Sequence, residues 1–269
     1  MTSHTRVQSS YVDVNGQRLH YKQWSDSGPP LIFLHGVTSS SSAWDDIAPQ
    51  FATDYRVMAF DFRGHGLSSK PEHGYTWTGH YAPDIVDFVQ SHLDEPAFVV
   101  GASLGAMVSA PIAAGAPGKV RGMVMSDPPA FAPFEDPEST RDRFTPTLAL
   151  KRLPYEERIE KLTEEGGDPD AVRAHADNLE AMSEGVLVEL IGGKTAYSAD
   201  EWLPRVSCPA LVFLANPELG GVVSRMDRPR LGQLLRDVTL VEFEDAGHGI
   251  HRDQPNRFVK EVSAFLQRI

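Results

Sequence analysis

The chain has 269 residues, 41% of them hydrophobic and 23% charged, which is typical of a globular protein with one large domain or two small ones. Its formal net charge of −12 argues against nucleic acid or an anionic membrane surface as a partner. The single cysteine, Cys208, excludes an internal disulfide, and the first residues do not resemble a secretory signal. Because no apolar run is long enough to span a bilayer, we expect a cytoplasmic protein without a membrane partner.

The first predicted elements are a β-hairpin and a buried strand. Residues 10–14 and 19–24 alternate as strands do, and Asn15-Gly16 between them is a favoured dipeptide for a two-residue turn. Residues 31–34 are continuously apolar, which is typical of a strand covered on both faces.

Two glycine-containing turns follow. His-Gly-Val-Thr at residues 35–38 permits an unusual backbone turn, which would direct the Val37 amide at a bound carbonyl group. The alternative is a polar loop that caps a helix beginning near Trp44. After a strand at 56–60, residues 61–68 read Asp-Phe-Arg-Gly-His-Gly-Leu-Ser, and we interpret them as a hydrogen-bonded structural turn.

The rest of the chain is organised around Gly-Ala-Ser-Leu-Gly at residues 101–105. An apolar strand at 97–100 precedes this stretch, and an apolar helix at 106–114 follows it. Strand, sharp turn and helix are the setting of a Gly-x-Ser-x-Gly nucleophile elbow, which exposes the Ser103 hydroxyl and frees the Leu104 amide to bind an oxyanion. A glycine-rich turn without catalytic function is the alternative.

The middle of the chain predicts an inserted unit. A strand at 121–126 ends at Asp127, which two prolines follow. The next apolar strand begins at 210, and the intervening stretch is rich in charge and helix formers and too long for a loop. We therefore predict a core formed by residues 1–130 and 208–269, with a helical cap formed by residues 131–207.

Strands alternate with helices to the end of the chain, which predicts an α/β protein with a mostly parallel sheet covered on both faces. Ligands bind such sheets at the carboxyl ends of the strands. Four polar residues follow predicted strands at that end: Ser103, Asp127, Glu218 and His248. His251 is a nearby rival to His248, but it lacks the flanking glycines. The ten histidines show no metal-ligand spacing, so we expect no metal and no cofactor.

The chain resembles the α/β-hydrolase superfamily over nearly its whole length. The resemblance rests on these features: His35-Gly36, the turn at 61–66, the elbow at 101–105, the inserted cap and Gly247-His248. It implies an eight-stranded, mostly parallel α/β-hydrolase sheet flanked by helices, with Ser103 as nucleophile and His248 as general base. It also implies that the amides of Val37 and Leu104 bind the oxyanion.

The acid that orients His248 has two candidates. Most members of the superfamily carry Gly-x-x-Asp after the strand at 210–214, whereas this chain has Ala-Asn-Pro-Glu at residues 215–218, which leaves Glu218. Some relatives place the acid one strand earlier, including (acetamidomethylene)succinate hydrolases, zearalenone lactonases and cofactor-free heterocyclic-ring dioxygenases. The Ser-Asp-Pro-Pro sequence around Asp127 is similar to those, so we favour Asp127.

These features predict a serine hydrolase that cleaves a small to medium ester, lactone or amide through an acyl-enzyme. Trp44, Phe131 and Phe134 are candidates for the lining of its substrate pocket. Three alternatives stay open: a carbon–carbon bond hydrolase with the same triad, a cofactor-free oxygenase or perhydrolase, and a small-molecule receptor on a hydrolase scaffold. The sequence leaves the substrate and the oligomeric state open.

Overall fold

The computed structural model describes residues 7–131, 137–194 and 197–269. Within these ranges eight strands form one sheet: β1 (Gln8–Val14), β2 (Gln17–Gln23), β3 (Pro30–Leu34), β4 (Arg56–Phe60), β5 (Ala97–Ala102), β6 (Val120–Ser126), β7 (Ala210–Ala215) and β8 (Val238–Phe243). Their order across the sheet is β1-β2-β4-β3-β5-β6-β7-β8. β2 is antiparallel to both β1 and β4, and all other neighbours are parallel, so the mostly parallel eight-stranded sheet is confirmed.

The same ranges contain these α-helices: α1 (Ala82–Ser91), α2 (Leu104–Gly115), α3 (Pro137–Arg152), α4 (Tyr155–Glu164), α5 (Pro169–Ala181), α6 (Glu184–Ile191), α7 (Ala199–Trp202), α8 (Arg228–Leu234), α9 (Ile250–Asp253) and α10 (Pro255–Arg268). Short 3₁₀ helices occupy Ser41–Trp44, Ala48–Phe51, Leu203–Arg205 and Pro217–Leu219, and a π-helical turn at Trp77–Tyr81 leads into α1. No helix in the described part of the chain combines the length and hydropathy needed to cross a membrane.

The hairpin and the central strands form for the reasons that the sequence indicates. Asn15 and Gly16 both have positive φ, +47° and +71°, as the tight turn between β1 and β2 requires. Every residue of β3 and β5 is buried, because helices cover both faces of the sheet there.

The sheet separates two layers of hydrophobic core. Alternate residues of β3 face opposite ways: Ile32 belongs to the layer formed with α1 and α2, and Phe33 belongs to the layer formed with α10. On α10, four buried side chains form the predicted apolar face: Phe258, Val262, Phe265 and Leu266. Helix α2 is buried along almost its whole length, which fixes the end of β5 that precedes it.

Helices α3 to α7 lie between β6 and β7 in the chain, where the sequence predicts the insertion. Within them α3 packs on α6, and α4 packs on α5. Buried residues of the insertion, including Leu179 and Leu187, join the hydrophobic layer that also contains Val37 and Leu104. The insertion therefore packs on the side of the sheet that carries α2.

Glu189 of α6 joins the insertion to the loop before α1. Its side chain is 6% exposed, and its two carboxylate oxygens accept hydrogen bonds from the backbone amides of Gly74 and Tyr75, both 2.9 Å long. Burial alone would raise the pKa of Glu189, but the Tyr75 and Gly74 amides stabilise the carboxylate, so its pKa lies below the ordinary value of 4.5. The Ser183 amide adds a second link, donating to the Gly64 carbonyl at 2.7 Å.

Replacing Glu189 by glutamine turns one acceptor oxygen into a donor that faces an amide N–H. We expect Glu189→Gln to lower the free energy of unfolding at pH 7 by about 1–3 kcal/mol, measured by urea denaturation. Because the pKa is lower in the folded state, the stabilisation is complete above pH 4.5 and declines as the pH falls through the folded-state pKa, so the two proteins should converge in acid. Glu160→Gln, at an exposed position of α4, is the matched control and should change little. An equal loss in both variants would contradict the role of Glu189.

Candidate active site

Ser103 lies at the turn between β5 and α2 with φ +53° and ψ −112°. In the described part of the chain, three non-glycine residues have positive φ, namely Asn15, Ser103 and Asp127. Asn15 belongs to the hairpin turn, so the other two require another explanation. Such strained conformations persist where the surrounding structure enforces them, and they concentrate at functional sites.

The glycines on either side of Ser103 are required by close approach of the backbone. A Cβ added to Gly101 would overlap the backbone of Gly105, and one added to Gly105 would overlap the Leu34 carbonyl at the end of β3. The Gly105 amide donates to the His35 carbonyl at 3.0 Å, which draws the loop after β3 against the turn. Strand, turn and helix can therefore adopt this arrangement only with glycine at both positions.

Asp127 and His248 meet at the carboxyl end of the sheet. The Nδ1–H of His248 donates to Oδ2 of Asp127 at 2.6 Å, and Asp127 is completely buried. Asp127 directly follows β6, and the Ser103 amide donates to the carbonyl of Ser126 at 3.1 Å. The backbone of Ser103 is thus bonded to the residue that precedes the carboxylate holding His248.

The loop after β7 surrounds Asp127 with backbone donors. The Ala215 amide donates to Oδ1 at 3.3 Å, and the Val222 amide donates to Oδ2 at 2.9 Å. Glu218, the alternative acid, is exposed in the 3₁₀ turn of the same loop, and its amide donates to Asn216 Oδ1 at 3.1 Å. This loop therefore contributes main-chain N–H groups to the carboxylate at the end of β6.

Residues 35–37 pass beside Ser103. A Cβ added to Gly36 would lie 3.4 Å from Ser103 Cβ and 3.9 Å from Ser103 Oγ. Among the residues that the structure describes, neither the Val37 amide nor the Leu104 amide donates a hydrogen bond. Both amides are thus available to an acceptor bound at Ser103.

His35 has a structural role in this loop. Its Nδ1–H donates to the Gly36 carbonyl at 2.7 Å, and its Nε2 accepts from the Phe62 amide at 3.1 Å. Burial, followed by the proximity of His65, lowers the pKa of His35 to about 3, so the ring is neutral at physiological pH.

The Asp61 side chain forms several hydrogen bonds at the start of the turn at 61–68. Asp61 accepts from His20 and from the amides of Ser41 and Leu67. Although burial alone would raise its pKa, these bonds outweigh burial and lower the pKa of Asp61. The structure therefore has the structural turn that we inferred for Asp61.

The candidate pocket residues lie in different places. Phe131 is 4% exposed, and the Arg230 guanidinium stacks on its ring at 4.5 Å. Trp44 is wholly buried against Phe33 and against His251, whose ring centroid lies 4.7 Å from its own. Phe134 lies outside the described residues. Burial lowers the pKa of His251 to about 3, as expected for a packed ring.

His248 is hydrogen-bonded to Asp127 but not to Ser103. Among residues 7–131, 137–194 and 197–269, Ser103 Oγ forms no hydrogen bond, including none with His248. In the same ranges, no group of three or more His, Cys, Asp or Glu side chains is placed to hold a metal ion.

Sequence analysis did not identify the donors around Asp127. Backbone amides have no signature in residue type, and the sequence of the loop at 215–222 indicates only a side-chain acid, Glu218. The one local signal is Gly220-Gly221. Gly220 has φ +95°, and a Cβ on Gly221 would crowd Ala215. A glycine pair just beyond Glu218 indicates a loop shaped for backbone contacts.

Comparisons with known proteins place this geometry in context. The family model described as the alpha/beta hydrolase family matches residues 31–261. A 2-(acetamidomethylene)succinate hydrolase of Mesorhizobium japonicum is 28% identical over 96% of this chain and 95% of its own length. An N-formylmaleamate deformylase of Pseudomonas putida is 30% identical over 97% of both chains.

Solved structures agree with the sequence matches. The crystal structure of an E-2-(acetamidomethylene)succinate hydrolase superposes with a TM-score of 0.83 at 26% identity, covering 97% of this chain and all of that one. That of an esterase from a Rhodococcus species gives 0.79 at 27% identity, covering 97% and 98%.

The close approach at Gly105 generates a stability prediction. We expect Gly105→Ala to lower the free energy of unfolding by about 3 kcal/mol, because the new methyl group would overlap the Leu34 carbonyl and force strand and helix apart. Gly232→Ala is the matched control, since nothing lies within 4 Å of a Cβ at Gly232 in α8. Alanine should stabilise that helix by about 0.5–1 kcal/mol. Thermal and urea unfolding test both, and a neutral Gly105→Ala would contradict the packing described here.

Proposed function

Because the chain belongs to the α/β-hydrolase family, we propose that it is a serine hydrolase that forms an acyl-enzyme on Ser103. The observation that carries this proposal is the 2.6 Å hydrogen bond between His248 and the buried carboxylate of Asp127, beside a serine in a strained turn. A serine hydroxyl becomes a useful nucleophile only when a base accepts its proton, and a histidine oriented by a carboxylate is such a base.

In the proposed mechanism, Asp127 holds the Nδ1–H of His248, which leaves Nε2 with the lone pair that accepts the Ser103 proton. Ser103 Oγ attacks the substrate carbonyl, and the free amides of Val37 and Leu104 stabilise the negative charge on its oxygen. His248 then protonates the leaving group, and water attacks the acyl-enzyme by the same route. Catalytic hydrogen bonds are often long before substrate binds, so the Ser103–His248 bond is expected to form in the complex.

We propose a small carboxylic ester or amide as the substrate class. Two relatives that match over nearly their full length are named for acids that carry an acetamido or N-formyl group, which supports the amide. The structural likeness to an esterase supports the ester. Relative rates on N-formylmaleamate, 2-(acetamidomethylene)succinate and p-nitrophenyl acetate separate the two.

The nucleophile is tested by pre-steady-state kinetics. We expect wild-type protein to release a stoichiometric burst of p-nitrophenol from p-nitrophenyl acetate, and we expect Ser103→Ala to abolish the burst. Ser91→Ala is the control, because this exposed serine of α1 contacts Asp87 on the surface and should leave the burst unchanged.

Oxygen uptake without added metal or flavin would instead indicate the cofactor-free oxygenase. Tight ligand binding without turnover would indicate the receptor.

The assignment of the acid is tested by comparing two isosteric variants. We expect Asp127→Asn to lower kcat by about a thousandfold or more, because an asparagine no longer fixes the histidine tautomer or stabilises the imidazolium. Glu218→Gln should keep a kcat near that of wild type, because Glu218 is exposed and the Nδ1–H of His248 bonds Asp127 instead. The reverse result would assign the acid to Glu218.

A further inference from the structure

Three consecutive carbonyl groups fix the loop beside Ser103. The His35 carbonyl accepts from the Gly105 amide at 3.0 Å, and the Gly36 carbonyl accepts from the His35 ring at 2.7 Å. The Val37 carbonyl lies 2.7 Å from Nε2 of His65, a side chain of the turn at 61–68. With its acceptors held in this way, the loop keeps one orientation, in which the Val37 amide remains free.

His65 is completely buried and faces carbonyl oxygens at both ring nitrogens. Nδ1 lies 3.0 Å from the Arg63 carbonyl, and Nε2 lies closer to the Val37 carbonyl. Burial lowers the pKa of His65 although both carbonyl contacts oppose this shift, so a single ring proton is available at neutral pH. The shorter contact favours the tautomer that carries this proton on Nε2, where it bonds Val37.

We propose that His65 is a positioning residue for the oxyanion site, acting by donating its Nε2–H to the Val37 carbonyl. The bond fixes the residue whose own amide is the proposed oxyanion donor. A displacement of that donor by about 1 Å can lower a rate by about a hundredfold, so loss of the bond affects chemistry more than binding. His65 thereby gains a role beyond stabilising its own turn.

His65 can be tested with two amide side chains that copy its two nitrogens. The carboxamide nitrogen of glutamine reaches the position of Nε2, and that of asparagine reaches the position of Nδ1. His65→Gln therefore retains a donor to Val37, whereas His65→Asn retains a donor only to the Arg63 carbonyl. Ser68→Ala is the control for damage to the turn, because it removes the hydrogen bond from Ser68 Oγ to the Asp61 carbonyl.

Two measurements are made on each variant. In hydrogen–deuterium exchange, we expect the peptide covering residues 35–38 to exchange about tenfold faster in His65→Asn than in wild type, His65→Gln or Ser68→Ala. In steady-state hydrolysis of p-nitrophenyl acetate, we expect kcat to fall by about tenfold to a hundredfold in His65→Asn, with KM little changed. His65→Gln should recover most of the loss.

The exchange measurement does not rest on the proposed function, whereas the kinetic measurement does. If wild-type protein shows no Ser103-dependent hydrolysis, the hydrolase proposal fails and exchange alone decides the role of His65. Unchanged exchange at 35–38 in folded His65→Asn overturns the positioning role. So does an equal loss of kcat in Ser68→Ala, or a folded His65→Gln that is as impaired as His65→Asn. Should His65→Asn not fold, His65→Gln decides by retaining or losing wild-type exchange.

Discussion

The hydrogen bonding of one buried carboxylate determines how this site is built. Asp127 has no exposure to solvent, and burying an unpaired carboxylate is far too costly for a folded protein. Three donors compensate: the ring of His248 and the amides of Ala215 and Val222. Because two of these donors are main-chain groups of one loop, the burial of the Asp127 carboxylate depends on the path of the chain after β7.

Strain in the backbone is arranged around the same group. Ser103 and Asp127 both have positive φ, and they directly follow two neighbouring parallel strands, β5 and β6. The backbone amide of each residue donates to a carbonyl of the next strand: that of Ser103 to Ser126 of β6, and that of Asp127 to Phe213 of β7. Each of these two backbone conformations costs about 1–3 kcal/mol, and the hydrogen bonds to the neighbouring strands keep them in place.

The sequence predicts well the strands and helices with periodic hydrophobic residues and the turns that contain glycine or asparagine. Asn15-Gly16 indicates its hairpin turn, the apolar runs indicate β3, β5 and β7, and the spacing of Phe258 to Leu266 indicates the buried face of α10. These signals are local, because propensity and periodicity act over a few residues. The contacts that complete the site join residues far apart in the chain and use backbone atoms. The Val222 amide on Asp127 and the Val37 carbonyl on His65 therefore leave no pattern in residue type to identify.

The position of the carboxylate in the chain has an evolutionary consequence. Nine residues, 128–136, separate Asp127 from the start of α3, whereas the other junction of the inserted helices lies between the 3₁₀ helix Leu203–Arg205 and β7 and carries no group of the proposed triad. If recombination between related genes exchanged this insertion, the position of the crossover would therefore matter more at the upstream end than at the downstream end. A crossover near Cys208 leaves the reacting groups alone, but one before residue 128 replaces the partner of His248. An exchange that keeps the proposed triad would therefore need its upstream boundary in the short stretch between Asp127 and α3.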